Sequence, residues 1–169
     1  ILYLHGFLSS PSSLKANQTR AYLLQKLPDT TFICPELANS PAELEAQLQA
    51  LLKAHPDLLS GGLKVIGSSM GGYLATWLIE QYGGRAVLIN PAVTPFELLK
   101  DYLGAHENPY TNKRFVLTED DIGHIRGFYQ PQLSQPECYK VLLQTGDETL
   151  DYRQAVKNYA GADVYIEDG

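Results

Sequence analysis

Directly after an apolar run at residues 63–66, the chain reads Gly67-Ser68-Ser69-Met70-Gly71-Gly72, and a stretch of helical periodicity follows. A G-x-S-x-G sequence between a strand and a helix sets one hydroxyl at the tip of a sharp, strained turn beyond the carboxyl end of the strand. Ser69 is that hydroxyl, the candidate nucleophile. The turn folds neighbouring chain onto itself, so the positions two before and two after must be small, and Gly67 and Gly71 meet that need. The amides that open the following helix then face the turn, so the Met70 N–H can hold the oxyanion of a tetrahedral intermediate. A second donor must come from another loop. His5-Gly6-Phe7 follows the first apolar run, which makes the Phe7 N–H that donor and gives Gly6 the room for close approach. The glycines could also form a plain tight turn or a phosphate cradle, but no Lys follows them as it would in a P-loop.

Such a nucleophile needs a base and an acid that orients it. The run at 141–144 is followed by Thr145-Gly146-Asp147-Glu148, and Asp147 is the candidate acid. Glu148 and Asp151 are neighbours that read instead as acids of a helix first turn, where a carboxylate complements the helix dipole. No histidine follows Asp147 in the 169 residues, although the chain holds 4. His5 sits in the oxyanion loop, where a brace is its plainer role. His55 ends a helix, His106 lies in a polar loop, and His124 is the nearest stand-in. In the order Ser…Asp…His the base follows the last strand. The reading therefore expects the catalytic histidine in a short tail just beyond Gly169.

These residues must be positioned by repeated strand and helix units. Short, continuously apolar runs at 1–4, 31–34, 63–66, 86–89, 141–144 and 163–166 suit strands buried on both faces of a parallel sheet. Between them, helical spacing is expected over 13–27, 40–56, 70–82, 95–103 and 151–159. Ser40-Pro41-Ala42-Glu43 reads as a capping box. The alternation predicts an α/β fold, with a mostly parallel central sheet of about six strands and helices on both faces. One segment breaks the rhythm. Residues 105–139 are too many for a bare loop and contain the helix-start signal Thr118-Glu119-Asp120-Asp121. They are expected to form a small excursion over one sheet edge. Its Tyr110, Phe115, Phe128 and Tyr129 either line an acyl groove or pack the excursion down, and Asn90-Pro91-Ala92 is placed to line a pocket.

Several blocks together resemble one family. They are Tyr3-Leu4-His5-Gly6-Phe7 with Ser9-Ser10-Pro11, then Gly67-Ser68-Ser69-Met70-Gly71-Gly72-Tyr73, Asn90-Pro91-Ala92-Val93, and Gly146-Asp147-Glu148 with Leu150-Asp151-Tyr152-Arg153. Their order is that of the YqiA-like family of small bacterial esterases, a compact branch of the α/β-hydrolase superfamily. The resemblance implies a compact α/β-hydrolase fold and a serine hydrolase for carboxylic esters or thioesters, with no cofactor. It matches Ser69 to the nucleophile and Asp147 to the acid. The family's histidine lies in a Gly-Asp-His stretch after the last strand, and Asp168-Gly169 resembles the edge of that stretch. The alternatives are a non-catalytic ligand-binding protein on the same scaffold, or an acyltransferase or peptidase using the same serine.

Composition narrows the classes further. Hydrophobic residues make up 44% and charged residues 19%, which fits one globular domain over residues 1–169 rather than a disordered chain. With 13 basic against 19 acidic residues the net charge is −6, which lacks the basic footprint of a nucleic-acid binder. There is no apolar run of membrane-spanning length. The opening Ile1-Leu2-Tyr3-Leu4 has no basic n-region of a secretion signal. Cys34 and Cys138 are expected as reduced thiols of a cytoplasmic protein. No His or Cys spacing suggests a metal; Asp120 and Asp121 near His124 read as helix-start charges. The expected partner is a small acyl ester or thioester.

Overall fold

A computed structural model describes residues 1–169. In chain order it contains β1 (Leu2–Leu4), α1 (Leu14–Lys26), α2 (Pro41–Ala54), β2 (Lys64–Ser68), α3 (Met70–Tyr82), β3 (Arg85–Ile89), α4 (Pro95–Leu98), β4 (Gly104–Glu107), β5 (Arg114–Leu117), α5 (Glu119–Arg126), β6 (Tyr139–Gln144), α6 (Tyr152–Asn158) and β7 (Asp163–Glu167). The main sheet runs β1-β2-β3-β6-β7 and every pairing in it is parallel. All of its strands therefore end on one edge, and their following loops meet there.

One face of this sheet is the core. Leu2 and Leu4, Val65, Ala86 and Leu88, and Val141 and Leu143 are buried together with Leu74 and Leu78 of α3 and Leu44, Leu48 and Leu52 of α2. The α6 end closes this side, where the buried Tyr159 hydroxyl pairs with Thr76 of α3 at 2.7 Å. The opposite face carries Ile66, Val87, Ile89 and Leu142 half-buried, with Tyr165 57% exposed. Helix α1 borders it through Lys15, Gln18 and Thr19.

The structure alters three expectations. The segment 31–34 makes only a single parallel bridge, Leu2 to Ile33, outside β1. Pro35 follows it at once and offers no N–H to extend a ladder. The helix expected over 95–103 is one α-turn, α4, continued by a 3-10 turn at Leu99–Tyr102. Ser40 caps α2 without a side-chain bond, so the box there does not form. A capping box does form at Thr118: its Oγ1 accepts the Asp121 N–H at 3.3 Å, and Asp121 Oδ2 accepts the Thr118 N–H at 2.8 Å. The excursion thus holds the expected helix, α5, and in addition an antiparallel hairpin, β4–β5, which the sequence reading lacked. No helix is long and apolar enough to cross a membrane, and both cysteines are free.

Candidate active site

Ser69 joins β2 to α3 with φ 54° and ψ −119°. A side-chain-bearing residue rarely takes a positive φ, so surrounding contacts must hold it. They are visible. The Ser69 N–H donates to the Ile89 carbonyl at 3.0 Å, and the Ser69 carbonyl accepts from Gly72 at 2.9 Å and from Ala92 at 3.1 Å. Ser68 is buried whereas Ser69 is partly open, which selects between the two hydroxyls. Asn90-Pro91-Ala92 braces this turn from behind: a Cβ on Gly72 would fall 2.8 Å from Pro91 Cβ.

The glycines are required by close approach. A Cβ on Gly67 would lie 2.4 Å from the Gly71 carbonyl oxygen, and one on Gly71 would lie 2.0 Å from that of Leu4. The second contact brings the start of α3 onto the end of β1. It carries the loop after β1 to Ser69, where a Cβ on Gly6 would be 3.3 Å from Ser69 Cβ and 3.7 Å from Ser69 Oγ. The N–H groups of Phe7 and Met70 make no hydrogen bond within the protein.

His5 holds the base of that loop. Its Nε2 accepts the Leu37 N–H at 3.1 Å, which fixes the proton on Nδ1, and Nδ1 then donates to the Gly6 carbonyl at 2.9 Å. Burial pushes its pKa below the ordinary 6.5, with the Gly6 bond and the Glu36 charge opposing. Both nitrogens are occupied in the neutral ring, so His5 is a brace and has no free lone pair for a base. His124 is exposed on α5, and His106 lies on the hairpin with its Nε2 on the Tyr102 carbonyl.

Asp147 lies in the loop after β6. The β6 strand is separated from β2 only by β3, so this loop opens on the same sheet edge as Ser69. Asn90 ties the two strand ends: its Oδ1 accepts the Gln144 N–H at 2.9 Å. Asp147 Oδ1 accepts the N–H groups of Thr149 and Leu150 at 3.0 and 2.9 Å, which fixes the carboxylate, while Oδ2 carries no bond within the protein. The chain leaving β7 passes directly against this loop, with the Gly146 N–H on the Gly169 carbonyl at 2.6 Å. Glu148 is exposed. Asp151 caps α6 through the Arg153 N–H at 3.0 Å.

Next to Gly6, Phe7 and Met70 is a small apolar cavity of about 40 Å³. Leu44, Leu74, Leu99, Leu117 and Ile125 supply much of its wall, together with Asn108. The aromatic residues singled out in the sequence are elsewhere. Phe128 packs on Trp77, Tyr129 on Phe96, Tyr110 is exposed, and Phe115 touches Phe7 from outside the cavity. The wall residues escaped notice because isolated leucines read as core; only the assembled excursion shows which of them face the loop.

A parallel sheet with a strained serine at a strand-to-helix turn, glycines packed around it and an acid after a later strand defines the α/β-hydrolase fold class. The chain belongs to the YqiA family: the family model described as "Uncharacterised protein family (UPF0227)" matches residues 1–169. Among solved structures it is similar to Est1E from Butyrivibrio proteoclasticus, determined with ferulic acid bound, at 12% identity and TM-score 0.70, over 99% of this chain and 78% of that one. It is also similar to the alpha/beta hydrolase domain-containing protein 10 from mouse, at 15% identity and TM-score 0.67, over 99% and 78%. A third is an S-formylglutathione hydrolase from Agrobacterium tumefaciens, at 14% identity and TM-score 0.60, over 99% and 73%.

Proposed function

We propose that this protein is a serine hydrolase that cleaves small carboxylic esters or thioesters through an acyl-enzyme on Ser69. The observation that carries the reading is the left-handed backbone of Ser69, pinned against the Gly6 loop with its side chain partly open. Fixing a serine there costs on the order of 1–3 kcal/mol, strain that persists where function uses it. Ser69 Oγ bonds to the acyl carbon while its proton passes to a histidine. The oxyanion is held by the N–H groups of Phe7 and Met70. The tetrahedral intermediate collapses and the alcohol or thiol leaves with that proton. Water then repeats the sequence, releasing the acid and restoring Ser69. Asp147 orients the histidine from a loop against which the chain leaving β7 passes. The small excursion leaves the site open and favours short or medium acyl groups.

The test is steady-state hydrolysis of a matched ester, thioester and peptide amide by the full-length protein and its Ser69→Ala variant. Turnover of the esters, lost in the variant, supports the reading. Equal rates for both proteins overturn it, and faster amide cleavage moves the assignment to a peptidase. A chain-length series of p-nitrophenyl esters that peaks at long chains overturns the acyl-length assignment.

A further inference from the structure

The oxyanion loop is held at two points, and the second comes from the excursion. At one end His5 fixes the Gly6 carbonyl. At the other, Asn108, in the turn of the β4–β5 hairpin and only 4% exposed, donates from Nδ2 to the Ser9 carbonyl at 3.0 Å across 99 residues of sequence. Its orientation is set by its own turn. Oδ1 accepts the Tyr110 N–H at 2.9 Å and the Thr111 N–H at 3.3 Å, so the amide nitrogen must be the group that faces Ser9. The same hairpin sets His106 and Phe115 edge-on against the Phe7 ring, with centroids 6.0 and 6.1 Å away. Between the two clamped carbonyls, Leu8 stands at φ 53°. A bulky residue rarely adopts that conformation unaided. Released from its clamp, this segment has a cheaper backbone available, and the Phe7–Leu8 peptides would turn with it.

We propose that Asn108 is a positioning residue of the catalytic site: its amide holds the Ser9 carbonyl and thereby keeps the Phe7 N–H aimed at the carbonyl oxygen of an acyl group on Ser69. The proposal rests on the hydrolase reading for its catalytic part and on geometry alone for the clamp. It makes the hairpin part of the oxyanion site rather than a decoration of the sheet edge.

Asn108→Asp separates the clamp from the hairpin turn. The ionised carboxylate still accepts from Tyr110 and Thr111 but cannot donate to Ser9; burial favours the protonated acid, which could donate, so the measurements are made at alkaline pH. Two quantities are measured on the full-length protein: amide hydrogen exchange across residues 6–10, and kcat and KM for a short p-nitrophenyl ester. The expected result is faster exchange confined to that loop, with kcat down about 10–100-fold and KM unchanged, as for a small misplacement of a catalytic group. Where the buried carboxylate prevents folding, Asn108→Ala replaces it, with exchange followed across residues 104–117 as well, because alanine also removes the turn bonds to Tyr110 and Thr111; loosening of the 6–10 loop beyond that of the hairpin supports the clamp, and loosening of the hairpin alone overturns it. Unchanged exchange, unchanged kcat in a protein whose loop has loosened, or a loss of kcat matched by exchange rising throughout the molecule each overturns the proposal. A wild-type protein without esterase activity defeats the hydrolase reading and the catalytic role with it, and the exchange data still decide whether the clamp exists.

Discussion

Gly71→Ala is the sharpest perturbation the structure offers. The added Cβ would sit 2.0 Å from the Leu4 carbonyl oxygen, 2.4 Å from the Leu4 carbonyl carbon and 2.7 Å from the His5 carbonyl oxygen. All three atoms are backbone, so no side chain can swing away. Ordinary contact begins at 3.4 Å. The start of α3 and the end of β1 must therefore separate by about 1.4 Å, or the turn must deform, at the 1–3 kcal/mol or more typical of overpacking. The separation moves the two proposed oxyanion donors apart, because Met70 begins α3 and Phe7 follows β1. A misplacement of about 1 Å costs on the order of 100-fold in rate. Urea unfolding and ester kcat, measured on the same preparation, give both numbers. Gly123→Ala is the matched control. It sits exposed within α5 with nothing within 4 Å of its would-be Cβ, and the better helix former should add about 0.5–1 kcal/mol of stability with kcat unchanged. A Gly71→Ala protein with wild-type kcat and stability would refute the close approach of β1 and α3 on which the site depends.

Three other outcomes follow from individual residues. Thr118→Ala removes one half of the capping box that opens α5 and should cost about 1 kcal/mol in the urea midpoint analysis; no loss would mean that the box bears no weight. His5 is buried neutral with a pKa held below 6.5. The unfolded chain therefore takes up a proton first as pH falls, and His5's contribution is complete above about 6.5 and is lost progressively below it. Unfolding free energies measured from pH 7.5 down to 5 should show a shallower acid decline in His5→Gln than in wild type, and parallel curves would contradict the lowered pKa of the buried ring. Asp147→Asn should reduce kcat by about 10⁴-fold, the scale seen when a triad acid is neutralised with its geometry intact, whereas an unaffected rate would remove Asp147 from the site.

The parts of this fold legible in the sequence are those where chemistry and local backbone agree. Gly67, Ser69 and Gly71 announce the turn because few other residues tolerate those contacts, and α3 appears with the bounds expected. Where tertiary packing decides, reading by pattern fell short. The run at 31–34 is apolar enough for a strand, yet Pro35 limits it to one bridge. The β4–β5 hairpin was missed because its strands are short and half-exposed, carrying His106, Glu107 and Arg114 instead of an alternating apolar face. Asn108 looks like any turn asparagine in Asn108-Pro109-Tyr110. Its contact lies 99 residues away and leaves no local trace. His5 could be read as a brace from its place in the loop, but its occupied nitrogens needed Leu37 to be brought beside it.

The measurement that bears most directly on the account is covalent capture. Full-length protein treated with a fluorophosphonate should gain the mass of one adduct, and peptide mapping should place it on Ser69 and not on the buried Ser68 beside it. An unmodified protein, or an adduct that persists in Ser69→Ala, would contradict the claim that this strained serine is the nucleophile.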